Sequence, residues 1–528
     1  MSSQSKTEEE MWLHFQLICK PEQSGKTFVM IQHIIDDLSE PIIGKKTVNF
    51  ILCDNNLLLT AQTSHRVEHD LKTHYNGVVY IELSSHARTE YHDNASVYKS
   101  IVSDGVRNII CCTNGKRMDD IYQIIDDINK GDDTKDKYHF NIWLDEADKF
   151  LKFIDNTLRP IVLKHHHVNV KLITATPEPL FVKYGEINVL PLENTTSELY
   201  HGWEDNHVRI IDLKVSPVDY VEHVLKTVAP ELVVPGSKWF IPGTTAKRSH
   251  IDIVNMCVDH NMACICVNGD GIKVTLPNKE VFAHKKTKEL NVMLMECYET
   301  HQLARFPLAI TGNLCIGRGI SIMSDQFMLD YAILSHFFNK NDASQMAGRL
   351  KGNIKRFFNY KPPMIFTTEE FNDVAIEWEQ KSRKLAEFAF QKQQNGESTV
   401  VSKCEFKTLG EPYTYKIHDV RFDSFEKAKS FLVSKERDMK GKVRTTKKSV
   451  IHDCEGYMVT SKLLKSGQTV DDLTKECRLT DEMAKFISAS SCISSTEKGS
   501  RYLILPIYEN MSSPPKSVTY EVRYICFE

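Results

Sequence analysis

The sequence predicts an α/β protein with two lobes, each built on a parallel β-sheet, followed by a smaller α+β C-terminal domain. Apolar, β-prone runs alternate with helical patterns along most of the chain, which is typical of parallel strands with helices on both faces. Polar or glycine-containing segments follow several predicted strands, at the edge where such sheets bind ligands. A chain of 528 residues has room for about three to four domains. We place the first lobe at residues 1–200, the second at 201–395 and the C-terminal domain at 396–528.

The composition excludes few functions but narrows the class of protein. The formal net charge is -4, so overall charge predicts neither the presence nor the absence of a nucleic-acid partner. The first ten residues are polar and acidic, and the sequence lacks an apolar run of membrane-spanning length, which predicts a soluble intracellular protein in either cytoplasm or nucleus. The 14 cysteines form no Cys-x-x-Cys pair, so we expect buried thiols rather than a zinc site or disulfides.

The stretch Lys20–Thr27 separates two apolar runs and is interpreted as a loop between a strand and a helix. Gly25 allows the backbone to close around an oxyanion, and the amides at the start of the helix point at it. Lys26 can reach the β- and γ-phosphates of a nucleotide, and the hydroxyl of Thr27 can hold Mg²⁺. The predicted nucleotide-binding residues of this phosphate loop are Gln23, Ser24, Gly25, Lys26 and Thr27.

A second group of candidate residues follows the apolar strand predicted over Phe140–Leu144. Asp145 and Glu146 would lie at the carboxyl edge of the sheet, where Asp145 could hold Mg²⁺ opposite Thr27. Glu146 could orient or deprotonate an attacking water. The alternative for this pair is a solvated strand end.

A further strand ends in Thr174-Ala175-Thr176-Pro177. The two threonine hydroxyls could bond either to the acidic segment or to the turn that follows them. The residues alone favour the turn.

The order of these segments resembles the motifs of superfamily 2 helicases and translocases. Gly25–Thr27 resembles motif I, Asp145–Asp148 spells the DEAD form of motif II, and Thr174–Pro177 resembles motif III. In the second lobe, Thr311–Gly319 resembles motif V and Gln345–Arg349 resembles motif VI. The resemblance implies two tandem RecA-like P-loop lobes with ATP and Mg²⁺ bound between them.

The resemblance also implies roles for single residues. Gln345 would contact the hydrolytic water or the γ-phosphate, and Arg349 would neutralise charge in the transition state. With Lys26 and Glu146, these two residues form the predicted catalytic set. Gly319 would be a further nucleotide contact.

In that family, motif III couples hydrolysis to movement on nucleic acid, a role that would fall to Thr174 and Thr176. The basic run Lys440–Lys448 could follow a phosphate backbone, with a solvated loop as the alternative. The predicted nucleic-acid contacts are Asn56, Arg66, Thr113, Thr244, Thr311, Lys442 and Arg444.

Two positions depart from the motifs. Lys20 stands where motif I usually has glycine. Gly352 stands where motif VI has a second arginine, and the nearby cations are Lys351, Lys355 and Arg356. Lysine is not equivalent to arginine for a bidentate contact.

We therefore predict a nucleic-acid-dependent ATPase that couples hydrolysis to translocation on, or unwinding of, DNA. Pro177 and Gln345 differ from RNA-acting DEAD-box proteins and favour the DNA-acting branches. The Arg349-x-x-Gly352 variant of motif VI looks like that of helicases of large DNA viruses and phages. The alternatives are an RNA helicase, a phosphotransferase that uses the same loop, or a nucleic-acid-binding scaffold with weak ATPase activity.

Overall fold

The computed structural model divides the chain into two compact units, residues 1–400 and 401–528. The structure describes residues 11–39, 42, 44–55, 57–74, 77–84, 92–244, 246–269, 271–285, 290–312, 322–409, 413–440, 443, 479–484, 492, 501–510 and 512–527. The first unit contains a six-stranded sheet and an eight-stranded sheet, which form its two lobes.

The first lobe is built on six parallel strands in the order β1-β6-β5-β2-β4-β3. These strands are β1 Phe15–Cys19, β2 Lys46–Cys53, β3 Ile81–Glu82, β4 Asn108–Cys112, β5 Tyr138–Asp145 and β6 Val168–Thr174. Because β1 and β5 both flank β6 in parallel, the carboxyl ends of all three meet at one edge. The predicted parallel sheet of the first lobe is confirmed.

Helices connect and cover these strands. They are α1 Lys26–Ser39, α2 Leu57–Leu71, α3 Asn94–Val102, α4 Gly115–Lys130, α5 Leu151–Phe153, α6 Arg159–Lys164 and α7 Glu178–Tyr184, with a π-helical turn at Ile154–Leu158 and a short strand β7 at Glu186–Asn188. The apolar face of α1 packs on the sheet, where Met30 and Ile34 meet Ile18 and Trp143 in one buried cluster. This packing fixes the start of α1 next to the carboxyl end of β1.

The second lobe has an eight-stranded sheet in the order β12-β11-β10-β13-β9-β14-β15-β8. The six strands from β10 to β8 are parallel, whereas β11 and β12 form an antiparallel extension at the β10 edge. The sheet is therefore mixed, whereas the sequence predicted a wholly parallel sheet. The strands are β8 His207–Ile210, β9 Lys238–Phe240, β10 Ala263–Asn268, β11 Gly271–Thr275, β12 Val281–His284, β13 Leu308–Gly312, β14 Tyr331–Leu334 and β15 Met364–Thr367.

The helices of the second lobe include one that is much longer than the rest. They are α8 Pro217–His223, which continues as a π-helical turn at Val224–Val228, then α9 Lys247–Asp259, α10 Leu290–Thr300, α11 Lys340–Ala347 and α12 Glu369–Gln394. Thr368 caps α12 by accepting a hydrogen bond from the Phe371 amide at 3.2 Å. Halfway along α12, the Ser382 hydroxyl donates to the carbonyl of Ala175 at 2.5 Å. The long helix of the second lobe therefore touches the first lobe directly.

The second unit is a small α+β domain, in agreement with the sequence. Its described elements are α13 Lys403–Thr408, β17 Tyr413–Ile417, α14 Phe425–Met439, β18 Leu479–Thr480, α15 Asp481–Ala484, β19 Tyr502–Tyr508 and β20 Thr519–Phe527, and a strand β16 at Val400–Ser402 lies at the junction. The sheet order is β17-β20-β19-β18, and α14 packs on it through a cluster that includes Leu432, Ile504 and Val522. In the part of the chain that the structure describes, we find no helix with the length and apolar content that a membrane crossing needs.

Candidate functional site

The phosphate loop joins the end of β1 to the start of α1, as predicted. Gln23 and Gly25 have positive φ angles of 57° and 92°, which turn the chain back toward the helix. The Ser24 hydroxyl donates to the Pro21 carbonyl at 2.7 Å, and Lys26 Nζ lies 3.5 Å from the same oxygen. The loop thus makes a backbone turn that ends at Lys26, the first residue of α1.

Lys20, the departure at the first loop position, does not point to solvent. Its side chain is only 8% exposed. Burial and the neighbouring charge of Lys26 both lower the pKa of Lys20. Lys20 therefore places a second cation close to the lysine of the phosphate loop.

The acidic pair lies at the carboxyl end of β5. The Asp145 carboxylate accepts a hydrogen bond from the Glu146 amide at 3.0 Å. Burial, and next the charge of Glu146, raise the pKa of Asp145 to about 7. Glu146 has a left-handed backbone with φ 52°, a conformation that costs about 1–3 kcal/mol and is concentrated at functional sites. A carboxyl with a raised pKa next to a residue with a strained backbone, both in one cleft, marks a candidate functional site.

The segment Ser344–Lys351, here called the arginine segment, brings the second lobe to this site. It consists of the last turn of α11 and a 3₁₀ turn over Gly348–Leu350. Gln345 is 2% exposed, and among the described residues its Nε2 has no hydrogen-bond acceptor. Arg349 is 3% exposed, and its Nε donates to the Gln345 carbonyl at 3.2 Å.

One cleft of about 380 Å³ collects these residues from both lobes. The predicted residues on its walls are Gln23, Gly25, Lys26, Thr27, Asp145, Glu146, Gln345 and Arg349. The structure therefore brings the predicted catalytic set into one cavity although it comes from distant parts of the sequence.

The structure explains the glycine at the second arginine position of motif VI. Gly352 has φ 128°, and a Cβ added there would lie 2.7 Å from the Cβ of Gln23. Its amide and carbonyl both pair with the backbone of His201, at 2.9 and 2.7 Å. A larger side chain at this position would strain the backbone and collide with the phosphate loop.

The three nearby cations are not equivalent. Lys351 is fully buried and pairs with Glu22, and Lys355 pairs with Asp205 at 2.9 Å. Of the three, Arg356 is the exposed cation on the wall of the cleft.

The two threonines at the end of β6, Thr174 and Thr176, bond to the acidic motif and not to the following turn. Thr174 Oγ1 donates to Asp148 at 2.7 Å, and Thr176 Oγ1 donates to the other carboxylate oxygen at 3.0 Å. Sequence alone favoured the turn, because the approach of Asp148 depends on the pairing of β5 with β6.

The predicted nucleic-acid contacts lie at several places. Thr113 is buried, and its hydroxyl donates to the Cys53 carbonyl at 2.8 Å. Arg66 is exposed on α2 and lines the cleft. Thr244 is half-buried, and Thr311 is fully buried with no partner for its hydroxyl among the described residues. Four predicted residues lie outside the described residues: Asn56, Gly319, Lys442 and Arg444.

Sequence reasoning missed two residues of the site. Phe28 follows the phosphate loop, is 59% exposed and lines the cleft, but its sequence position resembles that of a core residue. Glu22 is buried and makes contacts with the second lobe. The sequence around Glu22 does not indicate that this glutamate contacts residues more than 300 positions away.

Comparisons with known proteins show similarity at the level of fold. No protein-family profile matches the sequence, and no curated protein sequence matches it. Solved structures that match include Mss116p bound to ssRNA and AMP-PNP, with 13% identity over 83% of this chain and 78% of that chain and a TM-score of 0.38. The Mycobacterium smegmatis helicase Lhr bound to ssDNA and AMP-PNP has 11% identity over 72% of this chain and a TM-score of 0.37.

The helicase MrfA bound to DNA has 10% identity over 72% of this chain and a TM-score of 0.40. The match covers 46% of the Lhr chain and 46% of the MrfA chain, so this chain spans less than half the length of either. The structure itself has two α/β lobes with the predicted phosphate loop in the cleft between them, which agrees with the two-lobe architecture that the sequence predicts.

Proposed function

We propose that this protein is a nucleic-acid-dependent ATPase that couples hydrolysis to movement along, or separation of, DNA strands. The observation that carries the proposal is the cleft itself, in which Lys26 and Glu146 of one lobe share a cavity with Gln345 and Arg349 of the other. A hydrolytic site divided between two lobes is sensitive to their relative position. Movement of the lobes can therefore be linked to turnover.

The residues of the cleft have different roles in hydrolysis. The amides of the phosphate loop and Lys26 bind the β- and γ-phosphates. Glu146 accepts the proton of the attacking water molecule, and Gln345 helps to orient that water. Arg349 stabilises the charge that develops on the transferred phosphoryl group, in a site that is largely shielded from solvent. Phe28 offers an exposed aromatic face at the same cleft.

The oxygen atoms present fit a magnesium ion. Thr27 supplies a hydroxyl and Asp145 a carboxylate, which are the hard ligands that Mg²⁺ prefers, and both line the cleft. The raised pKa of Asp145 reflects two adjacent carboxylates in a partly buried place, which a divalent cation would stabilise in their charged form. Bound Mg²⁺ would neutralise phosphate charge. The proposal expects activity to be lost when a chelator removes the ion.

DNA is proposed as the track because Pro177 and Gln345 match the motifs of DNA-acting branches better than those of RNA-acting DEAD-box proteins. The contacts of Thr174 and Thr176 with Asp148 provide a route from the acidic motif to the end of β6. The deciding measurement is steady-state ATPase activity with single- and double-stranded DNA and RNA in parallel. Preferential stimulation by RNA would replace DNA with RNA as the track.

Two variants test the site. Lys26→Ala should abolish hydrolysis, and Glu146→Gln should lower kcat at least about 10²-fold with ATP binding retained. Glu186→Gln, at the exposed first position of β7 in the first lobe, is a matched control. Unchanged hydrolysis in the two site variants, or no response of the wild-type protein to any nucleic acid, contradicts the proposal. Transfer of labelled phosphate to an acceptor other than water would identify a phosphotransferase instead.

A further inference from the structure

Glu22, in the phosphate loop, touches the arginine segment of the second lobe at its beginning, middle and end. We infer that Glu22 is a positioning residue, which holds Gln345 and Arg349 in register with the phosphate loop. The inference rests on the proposed ATPase function for its kinetic consequences, but its structural consequence can be measured without hydrolysis.

The first contact is at the beginning of the arginine segment. The Ser344 hydroxyl donates a short hydrogen bond to Glu22 Oε1. Ser344 is fully buried, and Glu22 is 2% exposed, so the bond is shielded from water. Ser344 directly precedes Gln345, and this contact therefore fixes the backbone next to that side chain.

The second contact lies in the middle of the segment and is steric. A Cβ added to Gly348 would lie 2.7 Å from the Cβ of Glu22 and 2.8 Å from its Cγ. Gly348 has an ordinary right-handed backbone with φ -58°, so the glycine is required by close approach and not by its conformation. The stem of Glu22 thus rests against the backbone that immediately precedes Arg349.

The third contact is an ion pair at the end of the segment. Lys351 Nζ lies 2.8 Å from Glu22 Oε2 and 3.3 Å from Glu379 Oε2, and the lysine side chain is fully buried. Glu379 belongs to α12 and also accepts the Trp203 amide at 2.8 Å. Since a buried charge is stable only with partners, Lys351 is confined to the place where the two carboxylates meet.

The three contacts together determine where the catalytic side chains lie. Gln345 follows the first contact, and Arg349 lies between the second and the third. The Glu22 carbonyl also accepts a hydrogen bond from the Tyr200 hydroxyl at 3.2 Å, which further restrains the backbone of the phosphate loop. An error of about 1 Å in the position of a catalytic group can cost about 10²-fold in rate. A single residue that contacts both ends and the middle of the segment limits such errors.

Glu22→Gln is the principal test variant. The amide oxygen can still accept from Ser344, and Lys351 keeps Glu379, so the change removes one charge from the network without leaving the lysine unpaired. The expected result is a fall in kcat of about 10- to 100-fold with KM for ATP changed less than about 2-fold, because phosphate contacts are retained.

Gly348→Ala tests the same contact through shape alone. The added methyl group would push Glu22 and the arginine segment apart without a change of charge, and the same split between kcat and KM is expected. The matched control is Glu377→Gln, two residues before Glu379 on α12. It removes the more exposed pairs with Lys381 and Lys340 and should leave both constants unchanged.

Amide hydrogen exchange of residues 344–351 in the nucleotide-free protein gives a readout that does not require turnover. Exchange in Glu22→Gln should rise at least about 10-fold over the wild type, with no change in Glu377→Gln. A wild-type rate of exchange in Glu22→Gln and Gly348→Ala, or a wild-type kcat in both, overturns the inference. If the wild-type protein lacks ATPase activity, the proposed function fails, and exchange alone decides whether Glu22 positions the segment.

Discussion

Lys351 Nζ of the second lobe lies 2.8 Å from Glu22 Oε2 of the phosphate loop, and both side chains are buried. The ion pair joins the loop that would hold phosphate to the segment that carries Arg349. It also shows why Lys351 does not replace the missing second arginine of motif VI. Its charge is already neutralised by Glu22 and Glu379.

This ion pair predicts a dependence of stability on pH. Burial alone would raise the pKa of Glu22, but Lys351, Ser344 and Lys26 lower it below its ordinary value of 4.5. A depressed folded-state pKa stabilises the protein above about pH 4.5, and that contribution is lost as pH falls through the folded-state pKa. Glu22→Gln should lower Tm at pH 7, and its difference from the wild type should shrink below pH 4.5.

Thermal unfolding between pH 3 and pH 7 measures this difference. Glu204→Gln, an exposed carboxylate in the same unit, should follow the wild-type curve throughout. An equal deficit of Glu22→Gln at pH 7 and at pH 3 would contradict the assigned ionisation.

Arg349 and Arg356 both line the cleft and should differ in effect. Arg349 is buried beside Gln345, so Arg349→Ala should reduce kcat by about 10³-fold or more, as for arginines that stabilise phosphoryl transfer. Arg356 is exposed and lies against Phe357, and Arg356→Ala should cost much less. Single-turnover hydrolysis with saturating DNA measures the loss of rate in each variant. A larger loss from Arg356→Ala would make Arg356 the principal cation.

Gly352→Ala should destabilise the protein although it moves the sequence toward the family motif. A positive φ of 128° costs an alanine about 1–3 kcal/mol, and its Cβ would also collide with Gln23. Gly185→Ala is the matched control, because Gly185 has φ 80° but open space around its Cβ position. Denaturant unfolding should show a larger loss for Gly352→Ala, and equal losses would exclude the collision with the phosphate loop.

The double variant Thr174→Val, Thr176→Val should weaken coupling more than hydrolysis. It removes two donors from the buried Asp148 carboxylate, which should cost about 1–3 kcal/mol for each lost partner. We expect fewer base pairs to be separated for each ATP molecule that is hydrolysed. Thr134→Val removes a buried hydroxyl that donates to the Ile128 carbonyl, far from the cleft, and serves as the stability control. Unwinding and hydrolysis that fall in equal proportion would argue against a coupling role.

Much of the fold could be predicted from sequence because it depends on local patterns. The alternation of strands and helices, the phosphate loop before α1 and the acidic pair at the end of β5 are all properties of short stretches. The long helix α12, Glu369–Gln394, belongs to the same class, since its apolar positions follow the helical period. The antiparallel hairpin of β11 and β12 was missed.

The candidate site was predictable only in part. Its motif residues could be named, but the partner of Thr174 and Thr176, the collision at Gly352 and the role of Lys351 could not. Each depends on a neighbour supplied by another strand or by the other lobe, and single-residue chemistry does not identify such a neighbour.

Periodicity and turn chemistry act over a few residues, so the amino-acid sequence was enough to predict two α/β lobes with a phosphate loop, an acidic pair and an arginine in that order. The contact of Glu22 with Ser344, 322 positions along the chain, and the neutralisation of Lys351 there were visible only in the folded protein. The physical reason is that burial and pairing of charges are properties of packed surfaces, which form only when the two lobes face each other.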